Sequence, residues 1–343
     1  MNRLFRKPKY LLVLLSGTAL AGYGLYRYSL SLGTDHREQN YEFSYRDTAS
    51  VDRIEIWDKT PDTVVLSREN GRWLVNGKYP ARPDAVDVLL ETFHRMELRN
   101  FPQQSALPTI VQALSTYGKE VTVYANGDEV KHFYVGTETP DMLGTYMMLQ
   151  GADQPYAVHI PGFNGYLSSR FFTREDLWRD RTLFGVDHRD LREVRMRYFD
   201  SAFASVALTR ADDGSYAVYP LLANGQKGAP LAQPRDLSVQ AAFAAYRTLM
   251  YEGMIIPSDK VFGKQDSLRK SQPVFELYLR SKDQNWTLTA YHVPGDPEAV
   301  PFEGAPASRF DPDRYYAFVS DGRFVLIQRH GFQSALFSLR SFR

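Results

Sequence analysis

From Ser50 onward the chain is written in short runs of alternating apolar and polar residues closed by turn residues, a pattern that admits little besides antiparallel sheet. Arg53-Ile-Glu-Ile-Trp57, Thr63-Val-Val-Leu-Ser-Arg68 and Arg72-Trp-Leu-Val75 predict a meander, with a turn over Glu69-Asn70-Gly71. Pro83-Asp84 then starts a helix, because Val86, Leu89, Leu90, Phe93 and Met96 recur at spacings of three and four. That helix should cover the sheet. Strands are expected again at Val121–Tyr124, Val130–Val135, Thr145–Leu149 and Tyr156–Ile160, with a turn over Asn126-Gly127-Asp128.

The second half repeats this order. Val194–Tyr198, Ala204–Thr209 and Tyr216–Val218 predict strands, Asp236 caps a helix carrying Val239, Phe243, Tyr246 and Met250, and strands return at Phe275–Leu279, Trp286–Tyr291, Tyr315–Val319 and Phe324–Ile327. Gly71-Arg-Trp73-Leu-Val75 parallels Gly214-Ser-Tyr216-Ala-Val218, and Gly162-Phe163 with Leu167 parallels Gly331-Phe332 with Leu336. Tyr146 lies 16 residues before Gly162, as Tyr315 does before Gly331. The shared order predicts an internal duplication. The expected fold is α+β: two similar units, each a mainly antiparallel sheet with one packing helix, after an N-terminal transmembrane anchor. The joint is expected between Arg174 and His188, with Trp178 packing there, giving units of 50–185 and 186–343.

The N-terminus is written differently. Arg3, Arg6, Lys7 and Lys9 precede a run from Tyr10 that holds no charge until Arg27. As a helix rising about 1.5 Å per residue, positions 10–28 reach roughly 28 Å, close to a bilayer core. Residues 1–9 are then a cytoplasmic tail, 10–28 a signal-anchor with Tyr23, Tyr26 and Tyr28 in the far interface, and 29–49 a polar stalk. The rest of the chain would lie in the periplasm, anchored to the inner membrane. The alternative is a signal cleaved after Ala21, which fits the small-residue pattern Ala19-Leu20-Ala21 and leaves a soluble periplasmic protein.

Composition narrows the function. With 41 basic and 40 acidic residues the chain is not organised around phosphate, so nucleic acid is not an expected partner. Residues 1–28 hold five of the bases and no acid, which leaves 36 bases against 40 acids in the remainder. The absence of cysteine excludes disulfides, thiolate metal sites and Cys nucleophiles. The sequence holds no His-Glu-x-x-His, Gly-x-Ser-x-Gly, P-loop or Gly-x-Gly-x-x-Gly, so no nucleotide, cofactor or metal is expected. His132 and His159 fall on strands that could neighbour each other, with His292 and His330 as counterparts, but two imidazoles are too few ligands without a nearby carboxylate. Asp311 and Asp313, in Phe310-Asp-Pro-Asp-Arg314, are a candidate pair for glycoside hydrolysis, against the plainer reading of a turn.

Ile54-Glu-Ile56, Gly71-Arg-Trp73-Leu-Val75 before Leu89-Leu90, Val135-Gly136, Tyr146-Met-Met-Leu149, Tyr156-Ala-Val-His-Ile-Pro-Gly-Phe163 and Trp178-Arg179 together resemble the bacterial family called domain of unknown function 4340. The likeness covers about residues 50–185 and reaches the second half through the repeat. It implies a single-span envelope protein of Gram-negative bacteria, of the kind found beside auxiliary subunits of gliding-motility-type transport systems. The family has no catalytic motif to carry over.

Three functions are therefore expected. The first is a periplasmic scaffold or accessory protein of a transport or motility-like assembly, acting by protein–protein contact rather than as an enzyme. The second is a glycan- or peptide-binding module using exposed aromatics at Tyr146, Tyr156 and Phe163 and their counterparts Tyr315, Phe324 and Phe332. The third is the carboxylate hydrolase.

Overall fold

The structure is a computed structural model that describes residues 21–25, 40–60, 63–187, 189–201, 204–296 and 309–343. The chain divides into two compact units, Met1–Asp180 and Arg181–Arg343.

In the first unit the alternating runs become strands β1 (Val51–Trp57), β2 (Thr63–Glu69), β3 (Arg72–Val75) and β4 (Tyr79–Pro80), followed by helix α1 (Pro83–Arg95) and β5 (Glu97–Asn100). A second helix, α2 (Leu107–Tyr117), leads into β6 (Lys119–Ala125), β7 (Asp128–Glu138), β8 (Thr145–Leu149) and β9 (Tyr156–His159). The sheet order is β4-β3-β2-β1-β6-β7-β8-β9-β5, with every pair antiparallel. Asn70-Gly71 and Asn126-Gly127 make the two-residue hairpin turns, all four residues at positive φ, which matches the right-handed twist of the strands they join.

Alternation places Ile54, Ile56, Val121, Val123, Phe133, Val135 and Met147 on one face, and Val86, Leu89 and Phe93 of α1 close over it. Helix α1 starts on Pro83, has Asp84 in its first turn and ends with His94 and Arg95, each favourable to the helix dipole. Residues 40–49, expected in the stalk, pack on this unit: Phe43 is buried in its core, and the Tyr45 amide donates to the Phe93 carbonyl at 2.8 Å. Trp178 is buried in the same core, its indole donating to the Phe172 carbonyl at 2.9 Å.

The second unit contains β10 (Leu191–Tyr198), β11 (Val206–Arg210), β12 (Tyr216–Pro220), helix α3 (Asp236–Ala245) and β13 (Gly253–Met254). A short helix, Gln265–Lys270, then precedes β14 (Phe275–Ser281), β15 (Asn285–Pro294), β16 (Phe310–Val319) and β17 (Phe324–Gln328). Its order is β12-β11-β10-β14-β15-β16-β17-β13, the arrangement of the first sheet without β4. The register repeats as well. Ile54 pairs with Leu66 and Val123, as Val194 pairs with Leu208 and Leu279. Both central strands carry a bulge at the same place, Asp52 in β1 and Arg192 in β10.

Several expectations are corrected. Each sheet is covered by two helices rather than one, because α2 and Gln265–Lys270 lie over the face opposite α1 and α3. Helix α3 ends at Ala245, so Met250 lies beyond it and is exposed, while Tyr246 and Leu249 turn into the core. Asp236 is the first helical residue, not a side-chain cap. Asp311-Pro312-Asp313 makes its turn inside β16: the β15–β16 pairing jumps from His292↔Tyr315 to Pro294↔Phe310, and Pro312 sits in the resulting bulge, where no ladder bond is asked of it. Among the described residues no helix is long and apolar enough to cross a membrane. The expected tail, anchor and early stalk lie outside the described residues apart from 21–25, which are helical and exposed.

Candidate functional site

The second face of the first sheet carries the candidate site. In α2, Ile110 and Leu114 are one helical turn apart and bury themselves against the sheet, while Val111 and Ser115 stand one position round and look along it. Close approach of this helix depends on Gly136 of β7. A Cβ there would lie 2.8 Å from Leu114 Cδ2 and 2.9 Å from the Tyr146 carbonyl oxygen. Gly118 ends the helix for a similar reason, since a Cβ would meet the Leu114 carbonyl that its own amide bonds at 2.9 Å.

Helix and sheet leave between them a cleft of about 280 Å³. Its floor is a single rung across four adjacent strands, because Trp57 pairs with Glu120, Glu120 with Tyr134 and Tyr134 with Met148. Val111, Leu114 and Ser115 form its roof, and Asp58 and Lys59 stand at the end beside Trp57. Trp57 and Val111 remain 41% and 45% exposed, so apolar surface is held open rather than packed.

The polar groups are few and held in place. Glu120 Oε1 lies 2.6 Å from His132 Nε2, and His132 Nδ1 lies 3.5 Å from Glu129. Burial pushes the Asp58 carboxyl up, but hydrogen bonds from the Thr60 hydroxyl and amide outweigh it and hold the group below its ordinary value. Burial together with the Glu120 charge pushes the Tyr134 phenol up. Lys119 is drawn down by burial and donates to the Ser168 carbonyl at 2.9 Å. The cleft thus offers an apolar slot with a fixed carboxylate in its floor.

The equivalent rung of the second unit is Arg197, Glu276, Thr289 and Phe318. Here the Phe318 end of the face is closed, while Arg197 and Glu276 line a depression of about 180 Å³ with Arg195 and Tyr278 at the other end. Phe318 stacks on Phe324 with centroids 4.4 Å apart, the Arg269 guanidinium lies 3.7 Å from the Phe318 centroid, and Ile255 and Tyr291 complete a small second core. Tyr291 occupies the register position of Gly136. Further along, the buried Glu193 carboxylate is met by Lys227 at 2.6 Å, Arg195 at 2.8 Å and Arg280 at 3.2 Å. Burial pushes this carboxyl up, but the hydrogen bonds from Arg195 and Lys227 prevail and hold it at about 2. The same register position in the first unit is Arg53, whose guanidinium lies 3.7 Å from the Tyr124 ring centre.

The six aromatics do not form the exposed set expected of them. Tyr156, Phe324 and Phe332 are buried, Tyr146 and Tyr315 are half-buried, and only Phe163 reaches 37% exposure, beneath the Arg170 guanidinium at 4.4 Å. Only Phe163 and Phe332 match in register, each five residues after paired positions Val158 and Ile327. Tyr316, not Tyr315, holds the place of Tyr146, and a one-residue offset in a strand turns a side chain to the opposite face. Tyr315 accordingly packs on Phe275 at 5.6 Å in the main core.

His132 and His159 are separated by β8 rather than adjacent. His292 stacks on Phe310 with centroids 4.0 Å apart, and His330 is exposed beside the Asp311 depression. Among the described residues no group of three or more histidine, aspartate or glutamate side chains is placed to hold a metal ion. Asp311 and Asp313 line an open depression of about 340 Å³ with Arg314 and His330. Asp311 Oδ1 accepts the Asp313 amide at 2.8 Å, and Arg314 donates to Glu252 at 3.0 Å.

Two antiparallel sheets of like topology, each with a helix on either face, define an α+β protein in which the slot over Met148 is open and its counterpart over Phe318 is filled. The family model described as "Domain of unknown function (DUF4340)" matches residues 73–241, and the family likeness carried by Trp73, Val135-Gly136 and the Tyr156–Phe163 run is shown there. The match runs from β3 to α3 and so takes in β10–β12, beyond the span expected from the first half. No curated protein and no solved structure matches the chain.

Proposed function

We propose that the protein is a membrane-tethered scaffold or accessory protein of a cell-envelope assembly that works by holding another protein. The observation that carries the binding part is the cleft of the first unit, where Trp57 and Val111 keep apolar surface open over a concave floor. Such surface is what a partner covers. The membrane part rests on the sequence alone: four cationic residues before the apolar run at 10–28 favour a single span with the bulk of the chain in the periplasm. The common strand order, register and bulge support the reading that one unit was duplicated.

A photo-crosslinking residue placed at Val111 in the full chain, in native membranes, should give one discrete adduct with another protein. Adducts with many proteins in proportion to abundance, or none, would contradict the scaffold reading. Alkaline carbonate should leave the chain in the membrane pellet. Its release, or a mature N-terminus at Gly22, would contradict the span.

A further inference from the structure

The second unit shows what fills this architecture when it is closed. At the Met148 position it has Phe318, and its own helix brings Arg269 over that ring at 3.7 Å. In the first unit the covering helix α2 (LPTIVQALSTY) has no charged residue, and the floor holds Met148, whose side chain leaves the slot open. The acid of the rung is kept in both units, as Glu120 and Glu276. The first cleft therefore has the carboxylate, held by His132, but no ring at the Met148 position and no cation on its covering helix.

We infer that the cleft receives an aromatic side chain with an adjacent cationic one, presented by a peptide segment of a partner protein. This rests on the reading of the first unit as a protein-binding surface and adds the chemistry of what it binds. Size agrees: about 280 Å³ lies just below the range of roughly 300–1,000 Å³ that drug-sized ligands occupy, which leaves room for one or two side chains. Charge agrees too, because Asp58 and Glu120 outnumber Lys59 along the wall. The ring would lie on Met148 and Tyr134 under Val111, with sulfur–aromatic and ring–ring contact on the floor. The cation would take the Glu120 end, where desolvation by the ring strengthens the attraction.

The test uses the full chain in detergent micelles and three capped dipeptides: acetyl-Phe-Arg-amide, acetyl-Phe-Glu-amide and acetyl-Leu-Arg-amide. Saturation-transfer NMR should show the Phe ring of the first receiving magnetisation, with a millimolar Kd at least about fivefold tighter than either control. Met148→Phe, which copies the second unit's plug, should weaken binding at least about tenfold while raising the melting temperature. Glu120→Gln should erase the preference for Arg over Glu and leave ring binding in place. Should Met148→Phe fold poorly, Val111→Lys on the exposed helix face blocks the slot instead, and the same loss is expected. Equal saturation by all three dipeptides, none at about 10 mM, or binding that survives both blocking variants would overturn the inference. A persistent single adduct at Val111 with no dipeptide binding would sink this inference and leave the scaffold reading standing. Dipeptide selectivity with no protein adduct would do the reverse.

Discussion

The rung Trp57–Glu120–Tyr134–Met148 and the rung Arg197–Glu276–Thr289–Phe318 hold the same places in two sheets of the same order, yet the first floors an open cleft at Met148 while the matching Phe318 end of the second is packed shut. The main core faces differ far less: Ile54, Val123 and Phe133 become Val194, Leu279 and Leu288, apolar throughout. Burial under α1 and α3 constrains the first set of positions to apolar side chains that fill space. The second faces answer only to whatever covers them, so they can diverge. The same contrast recurs where Arg53 lies over Tyr124 in one unit and Glu193 gathers three cations in the other.

The comparison is broken most forcefully at the shared core. Phe133→Ala and Leu288→Ala remove equivalent buried side chains, and each should cost about 3–5 and 2–5 kcal/mol respectively, by urea denaturation. Hydrogen exchange should show lost protection mainly within the substituted unit's own sheet; equal loss in both sheets would contradict the division into two units.

Next in size is Glu193. Its carboxyl is held at about 2 against an ordinary 4.5, so it contributes stability that is fully present above pH 4.5 and is lost as pH falls toward 2. Its partners are partly solvated, and the contribution is on the order of 2 kcal/mol. Glu193→Gln should destabilise the protein at neutral pH by about that amount and flatten the acid limb of its pH–stability curve. An unchanged acid limb would remove the cluster from the account.

Gly136→Ala tests the seating of α2. The added methyl meets Leu114 and the Tyr146 carbonyl, and a loss of about 1–3 kcal/mol is expected together with faster amide exchange in residues 107–117. The smallest effect is a gain: Met148→Phe should stabilise the first unit by about 0.5–1 kcal/mol by filling the slot.

The strands were legible because alternation is local: Arg72–Val75 and Thr145–Leu149 are found where the pattern set them, and the Asn-Gly turns follow from two positive φ values. Helix α2 was not legible. Only Ile110 and Leu114 are buried in it, too short a stripe to announce a helix between Phe101 and Gly118. Of the matches expected between the halves, Trp73/Tyr216 and Phe163/Phe332 agree in register, whereas Tyr146/Tyr315 slips by one because the β16–β17 hairpin is one residue shorter than the β8–β9 hairpin, with Tyr316↔Leu326 set against Tyr146↔Ala157. The cleft lay beyond any reading of single runs, since its floor takes one residue from each of four strands spread over Trp57 to Met148. Glu193 lies just before the strand expected from Val194, and only the fold brings Lys227 and Arg280 onto its carboxylate.

The central claim is that the slot over Met148 in the first unit is open to a ligand while its counterpart over Phe318 in the second unit is filled. Carbon-13 methyl labelling of the eight methionines places reporters in both units, with Met148 in the cleft floor and Met196 and Met254 in the second unit. On titration with acetyl-Phe-Arg-amide, the Met148 methyl should move upfield by ring-current shielding while Met196 and Met254 stay in place. A stationary Met148 methyl, or equal movement in the second unit, would contradict the account.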